Sequence, residues 1–150
     1  VRFLMSANVG EALKPLSKVA SGGELARIML AMKQVLAQQD GVPTLIFDEV
    51  DAGVSGRAAQ KVALKLWAVS KGRQVLCVTH LPQIAAMADA EFTVEKRVEH
   101  ERTYTSVLHL DDSGRRQELA RLIGGSMITE TTLAGAAELL RLADEAKRGI

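Results

Sequence analysis

Two adjacent carboxylates, Asp48 and Glu49, follow directly on the apolar run Thr44-Leu45-Ile46-Phe47. A run this short and apolar reads as a buried strand of a parallel sheet, over residues 44–48. Its acids then stand where the strand leaves the core, the end at which open α/β sheets bind ligands. Two acids there permit a division of labour. One can hold a hard cation such as Mg²⁺, which prefers oxygen ligands. The other can orient or deprotonate an attacking water. The same pair could instead cap the next helix or stay solvated in a loop, since an apolar run before Asp-Glu is a short pattern.

Two further polar termini accompany it. Ser21-Gly22-Gly23-Glu24 opens a long helix, and Ser21 with Glu24 three residues on fits a capping box. A helix start offers free backbone N–H groups and a positive dipole end, which suit a phosphate. Glycine there lets the backbone come close. An ordinary capped helix with a glycine-rich entry has the same sequence. The third terminus is His80, after the apolar run Gln74-Val75-Leu76-Cys77-Val78-Thr79. A histidine at a strand end can also be a plain cap or packing residue.

The elements that must position these groups follow from periodicity. Arg2 to Ser6 reads as a strand and Asn8 to Glu11 as a turn. Leu13 to Val19, with Pro15 and two lysines, reads as a loop. A helix over 22–39 carries one stripe of Leu25, Ile28, Met29, Met32, Val35 and Leu36. Residues 38–43 form a turn and 50–55 a loop. Ser55 is a candidate N-cap for a helix over 56–70, with Val62, Leu66 and Val69 inside, Ala58 and Ala59 before them, and Gly72 near its C-cap. Strand, helix, strand is a βαβ unit with parallel strands, which brings His80 to the same edge as Asp48 and Glu49. A short helix over 81–88 starts at Leu81-Pro82. Alternation predicts a hairpin of 90–98 with 102–110, turning at Glu99-His100-Glu101 and extending the sheet. His100 and His109 read as surface residues. A turn at 111–114 precedes helices over 115–123 and 129–147, the latter striped by Leu133, Ala136, Ala137, Leu140 and Ala143.

At 150 residues the chain can bury one proper core, built from aliphatics because only 3% of residues are aromatic. A net charge of +1 shows no electrostatic footprint for nucleic acid. The lone Cys77 permits neither a disulfide nor a zinc site and fits a reducing cytoplasm. No apolar run nears the ~18–20 residues needed to span a bilayer, so no membrane partner is expected. Val1 already reads as strand, which suits a fragment of something longer.

The three termini together resemble the signature motif, Walker B strand and switch histidine of ABC-type ATPases. Within that superfamily the chain is similar to the SMC branch, and there to the RecN family of bacterial double-strand-break repair ATPases. The resemblance rests on 14–27 (KPLSKVASGGELAR), 47–56 (FDEVDAGVSG), 80–85 (HLPQIA) and 119–125 (LARLIGG). Val19-Ala20 and Glu24 depart from the general ABC signature but match the RecN type. The resemblance implies the C-terminal lobe of an α/β P-loop ATPase head: a parallel βαβ core with an added hairpin and C-terminal helices. The N-terminal Walker A lobe and a coiled coil lie elsewhere. It further implies ATP and Mg²⁺ as cofactors. Asp48 would hold Mg²⁺ through water, Glu49 would be the general base and His80 would contact the γ-phosphate. Ser21, Gly22, Gly23 and Glu24 would bind ATP held by the other head of a homodimer. Asp51 and Gly53 would belong to the loop crossing that interface. The implied partners are the N-terminal lobe, the second head and, through the assembly, DNA, in the bacterial cytoplasm at the nucleoid.

No Gly-x-x-x-x-Gly-Lys-Ser/Thr loop occurs in the chain. Without it the β- and γ-phosphates lack most of their backbone donors and their lysine, so these residues alone should bind ATP poorly and hydrolyse it negligibly. Two rivals remain: a transporter ATPase fragment, which would normally carry all motifs in one compact chain, and a non-catalytic module that only clamps in response to ATP.

Overall fold

The computed structural model describes residues 3–6, 9–36, 41–99 and 102–149, without the side chains of Ser17 and Glu99. The expected start of the first strand, the start of the turn at Asn8, the end of the helix expected over 22–39 and the first half of the turn over 38–43 lie outside the described residues. So do the hairpin tip and His100. The chain divides into two compact units, Val1–His80 and Leu81–Ile150.

In the first unit β1 (Leu4–Met5) pairs antiparallel with β2 (Lys14–Pro15). The stretch expected as a loop instead forms β2 and a one-turn helix, α1 (Leu16–Val19). Pro15 occupies the position before that helix, where its missing N–H costs nothing. The N–H of Leu16 donates to Phe3 O at 3.0 Å and ties α1 back to the β1 segment. Then come α2 (Gly22–Val35), β3 (Thr44–Phe47), α3 (Gly56–Ser70) and β4 (Gln74–Cys77). β3 and β4 are parallel, in register from Thr44↔Gln74 to Phe47↔Cys77, so the expected βαβ unit is present. Val78 N–H extends the ladder by donating to Phe47 O at 3.0 Å.

The helix α3 buries Ala59, Val62, Ala63, Leu66 and Val69, one stripe at helical spacing, whereas Ala58 points outward. Leu45, Phe47 and Val50 join that core. Two expectations fail here. β3 is buried on one face only: Ile46 is 72% exposed, and Leu76 and Val78 of the neighbouring strand are exposed too. The stripe expected to be buried on α2 is largely open, with Leu25, Met29, Val35 and Leu36 exposed and only Gly23 and Leu30 buried. The reason is that α2 meets α3 through the face carrying Gly23, Arg27 and Leu30, at spacings of four and three residues. A groove of ≈ 350 Å³ runs along the open side between Leu25, Met29, Ile46 and Asp48.

The second unit holds α4 (Pro82–Ala85), β5 (Phe92–Glu99), β6 (Arg102–His109), α5 (Asp112–Gly124) and α6 (Glu130–Arg148). The helix α4 stops early. Its backbone tightens into i+3 bonds, from Met87 N–H to Ile84 O and from Ala88 N–H to Ala85 O. The hairpin register runs from Phe92↔His109 to Glu99↔Arg102. Among the described residues its strands pair only with each other, so it does not extend the parallel pair. Asp111 caps α5 by accepting from Gly114 N–H at 2.7 Å, which turns the expected 111–114 turn into the first turn of the helix. Leu119 and Ala120 of α5 and Ala136 and Ala143 of α6 are buried between the helices; Leu133 and Leu140 flank them half-buried, and Ala137 is exposed. Two cations tie these helices to the turn after α4. Arg115 donates to Ala88 O at 2.8 Å and pairs with the buried Glu91, and Lys147 reaches Asp89 at 2.8 Å.

Candidate functional site

The start of α2 is fixed by its own side chains. The hydroxyl of Ser21 accepts from Glu24 N–H at 3.4 Å, and the Glu24 carboxylate accepts from Ser21 N–H at 2.9 Å and from its hydroxyl at 2.8 Å. This is the complete reciprocal cap expected from the sequence. The bonds from Ser21, backbone first and hydroxyl second, hold the Glu24 carboxyl below its usual range. Glu24 thus acts on its own helix end, and its carboxylate is already engaged there. The N–H groups of Gly22 and Gly23, in the first turn, have no acceptor within the helix.

The loop after β3 packs against this helix start. A Cβ on Gly22 would stand 2.7 Å from Glu49 Oε2, so the Glu49 carboxylate lies directly over that glycine. A Cβ on Gly23 would stand 2.8 Å from both the Ala52 Cβ and the Ala52 carbonyl oxygen, and 3.0 Å from Glu49 O. The glycines therefore serve the chain's own packing, whatever they bind. Glu49 has φ 57°, the left-handed region, and is the sole non-glycine there among the described residues. Such a conformation costs on the order of 1–3 kcal/mol and persists only where the surroundings impose it. Here Asp48 Oδ1 accepts from Glu49 N–H at 2.9 Å, and Glu49 O accepts from Ala52 N–H at 3.0 Å. Gly53, at φ 72°, forms the exposed tip of the loop.

Arg27, the last residue of the 14–27 stretch, joins helix to loop. Its Nη1 donates to Ala52 O at 2.7 Å and to Val50 O at 3.3 Å, which closes α2 onto the loop. The available signal was a cation four residues after Gly23 and three before Leu30, on the inner face of α2. Hydrogen bonds to a charged group contribute about 1.5–3 kcal/mol. Arg27→Ala should therefore speed hydrogen exchange of the Ala52 and Val54 amides by about 10–100-fold, while amides in the middle of α3 stay protected. Unchanged loop exchange would show that Arg27 does not hold it.

Asp51, expected in the loop that crosses the interface, turns its side chain inward. It is 3% exposed; its Oδ2 accepts from the Thr79 hydroxyl at 2.6 Å and His80 N–H at 3.0 Å, and lies 3.1 Å from His80 Nδ1. Burial pushes its carboxyl up, but the bonds from Thr79 and the His80 backbone outweigh burial and hold it below the usual range. The His80 side chain itself is largely exposed. Cys77, beside the site, has its thiol pushed up to about 12, first by burial and then by Asp51 and Asp48, and stays an inert thiol.

Asp48 and Glu49 are exposed at the strand end, as oxygen donors for a cation must be. Among the described residues no group of three or more His, Cys, Asp or Glu could hold a metal ion. A protein-only cage is thus absent there. The donor set fits Mg²⁺, which is commonly held by one or two carboxylates together with substrate phosphates and water.

No family model matches the chain. It is 52% identical over 147 residues to the DNA repair protein RecN of Bacillus subtilis, covering 98% of this chain and 26% of the relative. It is 51% identical over 149 residues to RecN of Treponema pallidum, covering 99% and 26%, and 51% identical over 140 residues to RecN of Vibrio cholerae, covering 93% and 25%. The chain spans about a quarter of the length of these relatives. A solved chain from work on ATP-driven dimerisation and DNA-stimulated activation of SMC ATPases superposes with a TM-score of 0.54 at 23% identity. That match covers 79% of this chain and 70% of the other. At that identity it shows a shared α/β fold.

Proposed function

We propose, for a chain that belongs to the RecN family along nearly its whole length, that it is the C-terminal lobe of an SMC-like ATPase head acting in DNA repair. The packing of the Ser21 helix start on the Asp48–Glu49 loop carries this reading, because it joins the expected signature and Walker B residues into one cluster. Asp48 is placed to hold Mg²⁺, which when bound would neutralise phosphate charge. Glu49, fixed over Gly22 by a strained backbone, is placed to orient and deprotonate the attacking water. His80, oriented by Asp51, presents its exposed ring to the γ-phosphate. Gly22 and Gly23 turn their first-turn N–H groups to the γ-phosphate of ATP on a second head, with Ser21 held at the cap. The exposed Gly53 loop meets that head. ATP then joins two heads, and hydrolysis releases them.

The partners are the N-terminal lobe of the same protein, which supplies the phosphate loop, a second identical head, and DNA through the whole assembly. No helix among the described residues is long and apolar enough to cross a membrane. The place of action is the bacterial cytoplasm at the nucleoid. Equilibrium binding and turnover test this reading. The 150 residues alone should neither bind ATP tightly nor hydrolyse it, and joining the N-terminal lobe should restore both. Tight ATP binding by the chain alone, or an inert joined head, would sink it.

A further inference from the structure

We infer that Asp51 is the positioning residue for His80, holding its backbone and setting the imidazole beside a buried carboxylate. This rests on the reading that His80 works at a nucleotide. Asp51 Oδ2 accepts from the Thr79 hydroxyl (2.6 Å) and the His80 backbone N–H (3.0 Å), and stands at ion-pair distance, 3.1 Å, from His80 Nδ1. The Nδ1 side of the ring thus faces the carboxylate. Nε2 is then the nitrogen left for chemistry. On a neutral ring it accepts, as from a water; on an imidazolium it donates, as to a phosphate oxygen. The backbone bond adds direction. Because the same oxygen holds the His80 main chain and faces its ring, the corner after β4 and the ring are positioned together. Burial of Asp51 removes competing water, so these bonds are made in a low dielectric where they are stronger.

The test is a double-mutant cycle on ATP hydrolysis by the full-length protein. Asp51→Ala should lower kcat by about 10–100-fold, the scale of loss when the outer partner of a metal-ligating histidine is removed, with KM for ATP little changed. Asp51→Asn keeps an oxygen acceptor and loses the charge, so it should recover part of that loss. In a His80→Ala background neither change should slow the enzyme further, because Asp51 then has no ring to hold. If Asp51→Ala does not fold, the Asp51→Asn and His80→Ala pair decides the question in the same way. Effects that simply add, or no loss of kcat in either variant, would overturn the inference. A wild-type protein that hydrolyses no ATP would overturn the functional reading beneath it as well.

Discussion

Glu49→Gln in the full-length protein is expected to lower kcat for ATP by about 10²–10⁴-fold, the contribution typical of a positioned general base. ATP-driven pairing of heads should survive. The substitution keeps the shape of the side chain and removes only its ability to take a proton. Nothing that fixes the loop depends on the carboxylate. The Glu49 backbone bonds to Asp48 Oδ1 and from Ala52 N–H are unchanged, and the Val50 and Ala52 carbonyls still receive Arg27. Light scattering with ATP–Mg²⁺ should therefore show a monomer moving to a dimer, and a longer-lived dimer than the wild type forms. Steady turnover in Glu49→Gln would mean that the residue is not the base, and would favour a head that uses ATP only to clamp. Lost turnover without a dimer, with ATP binding confirmed, would leave the base assignment standing and remove the sandwich.

Glu49 also shows which parts of the site a sequence can display. The strand, its acids and the βαβ unit around them follow from local rules: an apolar run, Ser55 at the N-cap position of α3 although its side chain makes no capping bond, a glycine at Gly72 with φ 85°. The capping box at Ser21 is local too, and it forms as its spacing predicts. What escaped is set by tertiary contact. The left-handed φ of Glu49 breaks the local preference of its residue type, and such breaks gather at functional positions. The inward turn of Asp51 depends on the pairing of β3 with β4, which brings residues 28 and 29 positions away to one carboxylate. Along α2 the apolar periodicity named the wrong face, because the residues that pack inward include a glycine and an arginine. Neither scores as hydrophobic, yet they bring α2 onto the loop. The open face of Ile46, Leu76 and Val78 escaped for the opposite reason. The composition of a strand marks it as burial-prone on both sides and does not say which side this chain itself covers.

Gly23→Ala should then be among the most damaging single changes in the head, and for a reason that differs from its neighbour's. An alanine methyl at 23 would meet the Ala52 Cβ and carbonyl oxygen at 2.8 Å and the Glu49 carbonyl at 3.0 Å. None of these atoms is the free end of a flexible side chain, so helix and loop must part. Overpacking of this kind costs about 1–3 kcal/mol. The displacement also falls on the 2.7 Å bond from Arg27 to Ala52 O and on the backbone that holds Glu49. Urea unfolding should show the loss of stability, and both ATP turnover and head pairing should fail together. Gly22→Ala is the control, since its methyl would meet only the Glu49 Oε2 at 2.7 Å, the far end of a side chain that can swing aside. That variant should keep its stability and lose turnover through the displaced carboxylate. If Gly23→Ala unfolds like the wild type and fails only in pairing, the glycine is there for the partner's nucleotide alone. If it unfolds early, the same glycine shapes the loop after β3 in its own chain, and the start of α2 and that loop form one mechanical unit within a single chain.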